Sequence, residues 1–227
     1  MLLKDITLYT ADLEGTIRFY SGSLGLETLS LQEEQVSFKA GASVLTFIRS
    51  AAPHIYHFAF DIPNNKLLEA IQWLALRAER IANHEGNYVT LFDNWNADSV
   101  YFYDQNGNIL ELITRFDRGI NSDEPFSAAS ILSVSEIGLV VDDPVAFGTE
   151  LAQTYPLSFY HKGPKRADFA VMGDEEGLLI LSATTRHWYP TDVAAQAAPL
   201  QLTFETTTGG SHTLQFTAEG TIQIKPE

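Results

Sequence analysis

The chain contains no cysteine, so disulfides, zinc–thiolate sites and thiol nucleophiles are excluded at once. Basic residues are scarce: 14 Lys and Arg stand against 29 Asp and Glu, a formal net charge of -15. Such a surface repels phosphate backbones and anionic headgroups, which argues against nucleic-acid and membrane partners. It also opposes anionic substrates, unless a cation reverses the field locally. No run approaches the roughly 18 consecutive apolar residues of a membrane span, and the first residues lack the apolar segment of a secretory signal. The expectation is a soluble, cytoplasmic protein.

What is present is an ordinary globular balance, 45% hydrophobic and 19% charged in 227 residues, enough to bury a sizeable core. The order of its elements repeats. Residues 6–10 form a short β-rich run, after which Leu13, Ile17, Tyr20 and Leu24 recur at helical spacing. Asp12 is placed to cap that helix and Gly25 to stop it. Strand-like runs follow at 27–31, 35–40 and 44–48, completing one βαβββ unit. A second unit runs from a strand at 55–62 through a helix carrying Leu67, Leu68, Ile71, Leu74, Ala75 and Ala78. Its strands fall near Ile81 and at 88–92, 100–103 and 109–113.

Residues 118–130 read as a linker, rich in Asp, Ser, Gly and Pro. A third unit starts at Glu136, with a strand at 137–141 and the helix start Asp143-Pro144. Its strands are expected at 158–161, 168–172 and 178–181. Residues 199–225 alternate like strands but hold no helical segment, as a truncated fourth unit would. The expected domains are therefore 1–117, two paired units forming a cup, and 131–227, the third unit with its helix-less companion.

Asp12-Leu13, Phe19-Tyr20 and Leu24-Gly25-Leu26 resemble the opening of a vicinal-oxygen-chelate module. His57-Phe58-Ala59-Phe60 resembles the strand that opens a second module. Tyr101-Phe102-Tyr103-Asp104 and Gly107-Asn108-Ile109-Leu110-Glu111-Leu112 resemble its closing hairpin. The resemblance, to the glyoxalase, bleomycin-resistance and extradiol-dioxygenase superfamily, covers residues 1–115; the third unit matches by pattern. It implies an α+β fold of repeated βαβββ modules, forming cup-shaped mixed sheets with helices outside.

The resemblance also implies a metal site built from the first and last strands of paired modules. By position, the ligands would be Asp5, His57 and Glu111, with Thr46 at a fourth place. Imidazole plus carboxylates suits Fe2+, Mn2+, Ni2+ or Zn2+. Glu111 lies between Leu110 and Leu112, so alternation puts it on the face opposite both. If that face lines the cup, a bare carboxylate there needs a cation or a proton. Ring-cleaving dioxygenases carry a tyrosine ten residues before the ligand Glu, and Tyr101 holds that relation to Glu111. Two departures stand against that match: Asp5 occupies the first His position, and residues 92–99 contain no histidine. Glyoxalase-type sites would have Glu where Thr46 stands.

Each residue also has a structural alternative. His57 could be a core histidine bonded to backbone, Glu111 a salt-bridge partner of Arg115 or Lys39, Asp5 an exposed residue, and Tyr101 a packing aromatic. Glu136 falls at the ligand position of the third unit, but no His or Glu answers it at 178–181, so no second metal site is expected. The Arg186-His187-Trp188-Tyr189-Pro190 run could edge a pocket or a dimer contact, or simply pack on its own domain.

Two functions follow. One is a metal-dependent enzyme of glyoxalase or dioxygenase type, acting on a small oxygenated substrate, catechols among the candidates, that chelates the metal while Tyr101 donates to it. The other is a metal-free binding or sequestering protein of the bleomycin-resistance type, in which Tyr9, Tyr56, Trp95, Tyr101 and Tyr103 would contact the ligand. Thr46 is read as a strand residue, at most hydrogen-bonding a ligand or metal-bound water. Either has a small molecule as partner and allows a homodimer.

Overall fold

The computed structural model describes residues 1–207 and 209–223. The first unit comprises β1 (Leu2–Thr10), α1 (Leu13–Ile17) continued by a wider turn at Arg18–Ser23, then β2 (Glu27–Leu31), β3 (Gln35–Ala40) and β4 (Ser43–Arg49). Asp12 caps α1 by accepting the Gly15 N–H at 2.8 Å, and Gly25 turns the chain at φ 77°, a conformation that favours glycine. The second unit comprises β5 (His57–Asp61), α2 (Leu67–Leu74), β6 (Glu79–Ile81), β7 (Val89–Phe92), β8 (Ala97–Tyr103) and β9 (Ile109–Arg115). Leu67, Ala70 and Leu74 of α2 are buried, whereas Leu68 of the expected stripe faces out.

The third unit comprises β10 (Ser133–Val141), α3 (Pro144–Thr154), β11 (Lys165–Arg166), β12 (Phe169–Asp174) and β13 (Gly177–Ala183). Asp143 caps α3 through the Val145 and Ala146 N–H groups. The strand expected at 158–161 reduces to a single bridge between Phe159 and Met172. The tail forms β14 (Leu200–Glu205), β15 (Ser211–Phe216) and β16 (Ile222–Gln223), with no helix among its described residues; Ile224 and Lys225, also expected in a strand, lie outside the described residues.

The units pair in a nested order that corrects the expected cup within residues 1–117. One sheet runs β16-β15-β14-β1-β4-β3-β2, and the other runs β11-β12-β13-β10-β5-β9-β8-β6 with β7 on β8. The first unit thus joins the fourth, and the second joins the third. The cause is which opening strands meet: β1 is antiparallel to β14, and β5 is antiparallel to β10. Opening strands carry similar apolar alternation, so periodicity leaves the choice of edge partner open.

One large apolar cluster draws on both sheets, including Leu3, Ile6 and Leu8 of β1 and Leu110, Leu112 and Leu139 from the other sheet. Polar ties hold the units in register. Ser43 Oγ donates to the Leu3 carbonyl at 2.6 Å and accepts the Val134 N–H at 2.9 Å. Asp104 accepts from Tyr20 Oη at 2.9 Å, Asn108 Nδ2 at 2.7 Å and the N–H groups of Asn106 and Asn108 at 2.9 Å each. A buried carboxylate with four donors is satisfied, and it fastens the first unit's helix to the second unit's hairpin.

Candidate metal and ligand site

Because β5, β9 and β10 lie side by side, their alternating residues converge on one face of the nine-stranded sheet. Ala59 pairs with both Glu111 and Glu136, which places a carboxylate on either side of β5, two residues from His57. One ligand atom from each of His57, Glu111 and Glu136 can be chosen so that all three lie within 4.8 Å of one another, and all three residues are buried. They sit in a cavity of about 690 Å³, walled by Phe92, Trp95, Tyr101, Trp188 and Tyr189 among others.

The histidine is held in one tautomer. Its Nδ1–H donates to the Ile109 carbonyl at 3.0 Å, which leaves the Nε2 lone pair free, 3.9 Å from Glu111 Oε2. Burial pulls its pKa down to about 4, so the ring is neutral at pH 7. Burial pushes Glu111 up to about 8, and the nearby Glu136 charge adds to this. Ser99 and Tyr101 act in the opposite direction, yet Glu111 Oε1 is buried without a hydrogen-bond partner. Glu136 is also raised by burial, against the pull of Arg115. Arg115 is fully buried and donates through one Nη to Glu136 Oε1, while its Nε and other Nη have no partner. Tyr101 faces Glu111 across the β8–β9 ladder, and burial beside Glu111 and Glu136 holds its phenol well above the usual range.

His57, Glu111, Tyr101 and Trp95 all line this cavity. Asp5 does not join them. It is exposed on β1 of the other sheet, paired with Val44 and Thr203, and Glu136 stands beside His57 and Glu111 instead. Thr46 also belongs to that other sheet, its hydroxyl 2.8 Å from Ser37 Oγ. Tyr56 is a structural tie: its hydroxyl donates to the Pro199 carbonyl at 2.8 Å and accepts the Tyr9 N–H at 3.1 Å. Neither Tyr9, Tyr56 nor Tyr103 lines the cavity.

The sequence reading put Glu136 at the ligand position of the third unit but did not place it beside His57 and Glu111, because the expected pairing of units differs from the observed order β10-β5-β9. Of the three places open to the run around Trp188, a pocket edge, a dimer contact or packing on its own domain, the structure shows the pocket edge. The loop between β13 and β14 turns Trp188 back into the cup, 5.3 Å from the His57 ring, with Gly138 beneath it. A Cβ at that glycine would lie 2.4 Å from the Trp188 ring. Asn96, at φ 49°, closes the turn Asp93–Trp95 and donates to Asp117 at 2.7 Å, which presents Trp95 to the cavity.

No protein-family model matches the chain. No curated protein matches it either. A solved structure described as a candidate dioxygenase from Bacillus subtilis subsp. subtilis str. 168 aligns with 80% of the chain at a TM-score of 0.58 and 16% identity. The chain spans 63% of the length of that protein. A lactoylglutathione lyase from Agrobacterium tumefaciens aligns with 49% of the chain, and 92% of its own length, at 25% identity and a TM-score of 0.41. The Bacillus subtilis likeness shows the fold alone: this chain has a glyoxalase/dioxygenase-type fold. No helix among the described residues is long and apolar enough to cross a membrane.

Proposed function

We propose that this protein is a metal-dependent enzyme acting on a small oxygenated molecule, with His57, Glu111 and Glu136 holding one divalent ion. The observation that carries this is Glu111 Oε1, a buried carboxylate oxygen with no partner, beside the unprotonated Nε2 of His57. Buried carboxylates that lack donors need a cation or a proton. The donor set, one imidazole nitrogen and two carboxylates, suits Fe2+, Mn2+, Ni2+ or Zn2+. Such an ion supplies Lewis-acid polarisation or, as Fe2+, dioxygen activation.

The chain's own residues supply the rest. The Ile109 carbonyl fixes the His57 tautomer, and Arg115 aims Glu136 through its guanidinium contact. Tyr101 Oη, protonated at neutral pH, is the group placed to donate a proton or hydrogen bond to a bound oxygen beside Glu111. The aromatic walls exclude water from that position.

One observation favours a second reading, a metal-free binding protein: Arg115 already neutralises Glu136, so a single proton on Glu111 leaves the cluster uncharged. Metal content separates the two. Protein purified without chelator or affinity tag should hold near-stoichiometric metal that is lost in His57→Ala and in Glu136→Gln. Absence of metal from the parent protein, unrestored by added ions, would leave the binding reading.

A further inference from the structure

We propose that the cavity selects aromatic molecules that carry one anionic group, anchored at its rim by Arg166 and Arg186. This rests on the reading of the cavity as the substrate site. Both arginines line it, and both close on a single carboxylate. Arg186 Nη1 lies 2.7 Å from one Asp168 oxygen, and Arg166 Nε lies 3.6 Å from the other. Their guanidinium carbons stand 4.9 and 5.8 Å from the Phe169 ring centroid, Arg186 being the nearer.

Two cations and one anion leave a unit of positive charge at this edge, in a chain whose net charge is -15. The other cavity cation is not free in this way: Lys162 is matched by Asp117 and Glu175. Asp93 lines the cavity as well, so the excess is local to the Arg166–Phe169–Arg186 corner. A guanidinium pair held on a ring face suits a planar carboxylate or sulfonate, which accepts two parallel N–H bonds. The rest of the space suits a ring. Trp188 adds an indole N–H that is buried without an acceptor, a donor available to a ring substituent. The acidic surface elsewhere would turn anions away, whereas this corner holds two guanidiniums against one carboxylate.

Tryptophan fluorescence of metal-stripped protein at pH 7, titrated with phenylacetate and with 2-phenylethanol, tests the anchor. The two probes match in ring and chain length and differ in charge. Phenylacetate should bind about 3- to 10-fold more tightly at low salt, the range two half-exposed ion pairs supply, and the gap should shrink in 0.5 M NaCl. Arg166→Gln/Arg186→Gln should abolish the preference. Asp168→Asn, which frees both guanidiniums, should increase it, a change that misfolding cannot imitate. Equal binding of the probes, binding of neither, or indifference to the arginine substitutions overturns the anchor. Neither probe has vicinal oxygens and no metal is present, so the result is independent of the metal reading. A chain without a metal site can pass this test, and one with a metal site can fail it.

Discussion

The seven-stranded and nine-stranded sheets are built from the same unit, yet among the described residues the cluster of His57, Glu111 and Glu136 lies on the nine-stranded one. In β1, β4 and β14 burial alternates residue by residue: Ile6, Leu8, Leu45, Phe47, Leu202 and Phe204 are buried, while Thr7, Tyr9, Thr46, Gln201 and Thr203 are half open. In β5, β9, β10 and β13 every residue is buried. One sheet has a single covered face. The other has two, because Trp188 and its loop, with Trp95, roof the second. A polar residue on the open face satisfies itself with water at little cost. The same residue under the roof must find a partner or shift its pKa. Roofing thus turns Glu111, Glu136 and His57 into chemically distinctive groups, while Asp5 and Thr46 remain surface polar residues.

The contrast can be broken most severely at Arg115. Arg115→Met leaves Glu136 buried without its counter-charge and should cost about 3–5 kcal/mol in urea unfolding, while Arg115→Met/Glu136→Gln should recover most of the loss. Equal costs for the single and double substitutions would mean that packing, not charge, is what Arg115 contributes.

Glu111 sharpens the comparison through pH. Its folded pKa of about 8 lies above the ordinary 4.5, so its contribution is fully present below 4.5 and is lost as pH rises to 8. His57, lowered to about 4, opposes this below 6.5, where the unfolded ring takes up a proton. Asp61, raised to about 6 mainly by burial, acts in the lower range as well. Between pH 6.5 and 8 Glu111 is left as the main source of slope. Metal-free protein should therefore lose about 1 kcal/mol per pH unit there, and Glu111→Gln should flatten the profile. Metal affinity should rise over the same window, since binding competes with that proton.

Gly138→Ala tests the roof. The added methyl meets the Trp188 ring and should cost about 1–3 kcal/mol by overpacking, with a red-shifted tryptophan emission as the indole leaves the cup. On the open sheet, Thr46→Val removes a half-exposed hydroxyl pair with Ser37 and should change stability by less than about 0.5 kcal/mol, leaving metal content untouched. A large effect there would mean that the open face carries a function of its own.

Much of this was legible along the chain. The cap at Asp12, the stop at Gly25, the Asp143-Pro144 helix start and the turn around Gly107 are local devices, and local chemistry specifies them. Tyr20, Asp104 and Asn108, which carry the family resemblance, form one hydrogen-bonded knot and report the scaffold rather than the reaction. Alternation correctly set Glu111 apart from Leu110 and Leu112, since the period of a strand is fixed by backbone geometry. The pairing of units was not legible. Strand edges are chemically alike, and which edge meets which depends on contacts between residues more than 50 positions apart.

The sequence by itself therefore determined the βαβββ unit, its caps and turns, the acidic surface, and Glu111 as a residue on the face opposite Leu110 and Leu112. Only the tertiary structure decided that Glu136 joins them, that Asp5 does not, and that Trp188 closes the cup. Secondary structure follows from interactions a few residues apart; a site follows from which strands lie side by side, a choice made by the packing of the whole chain.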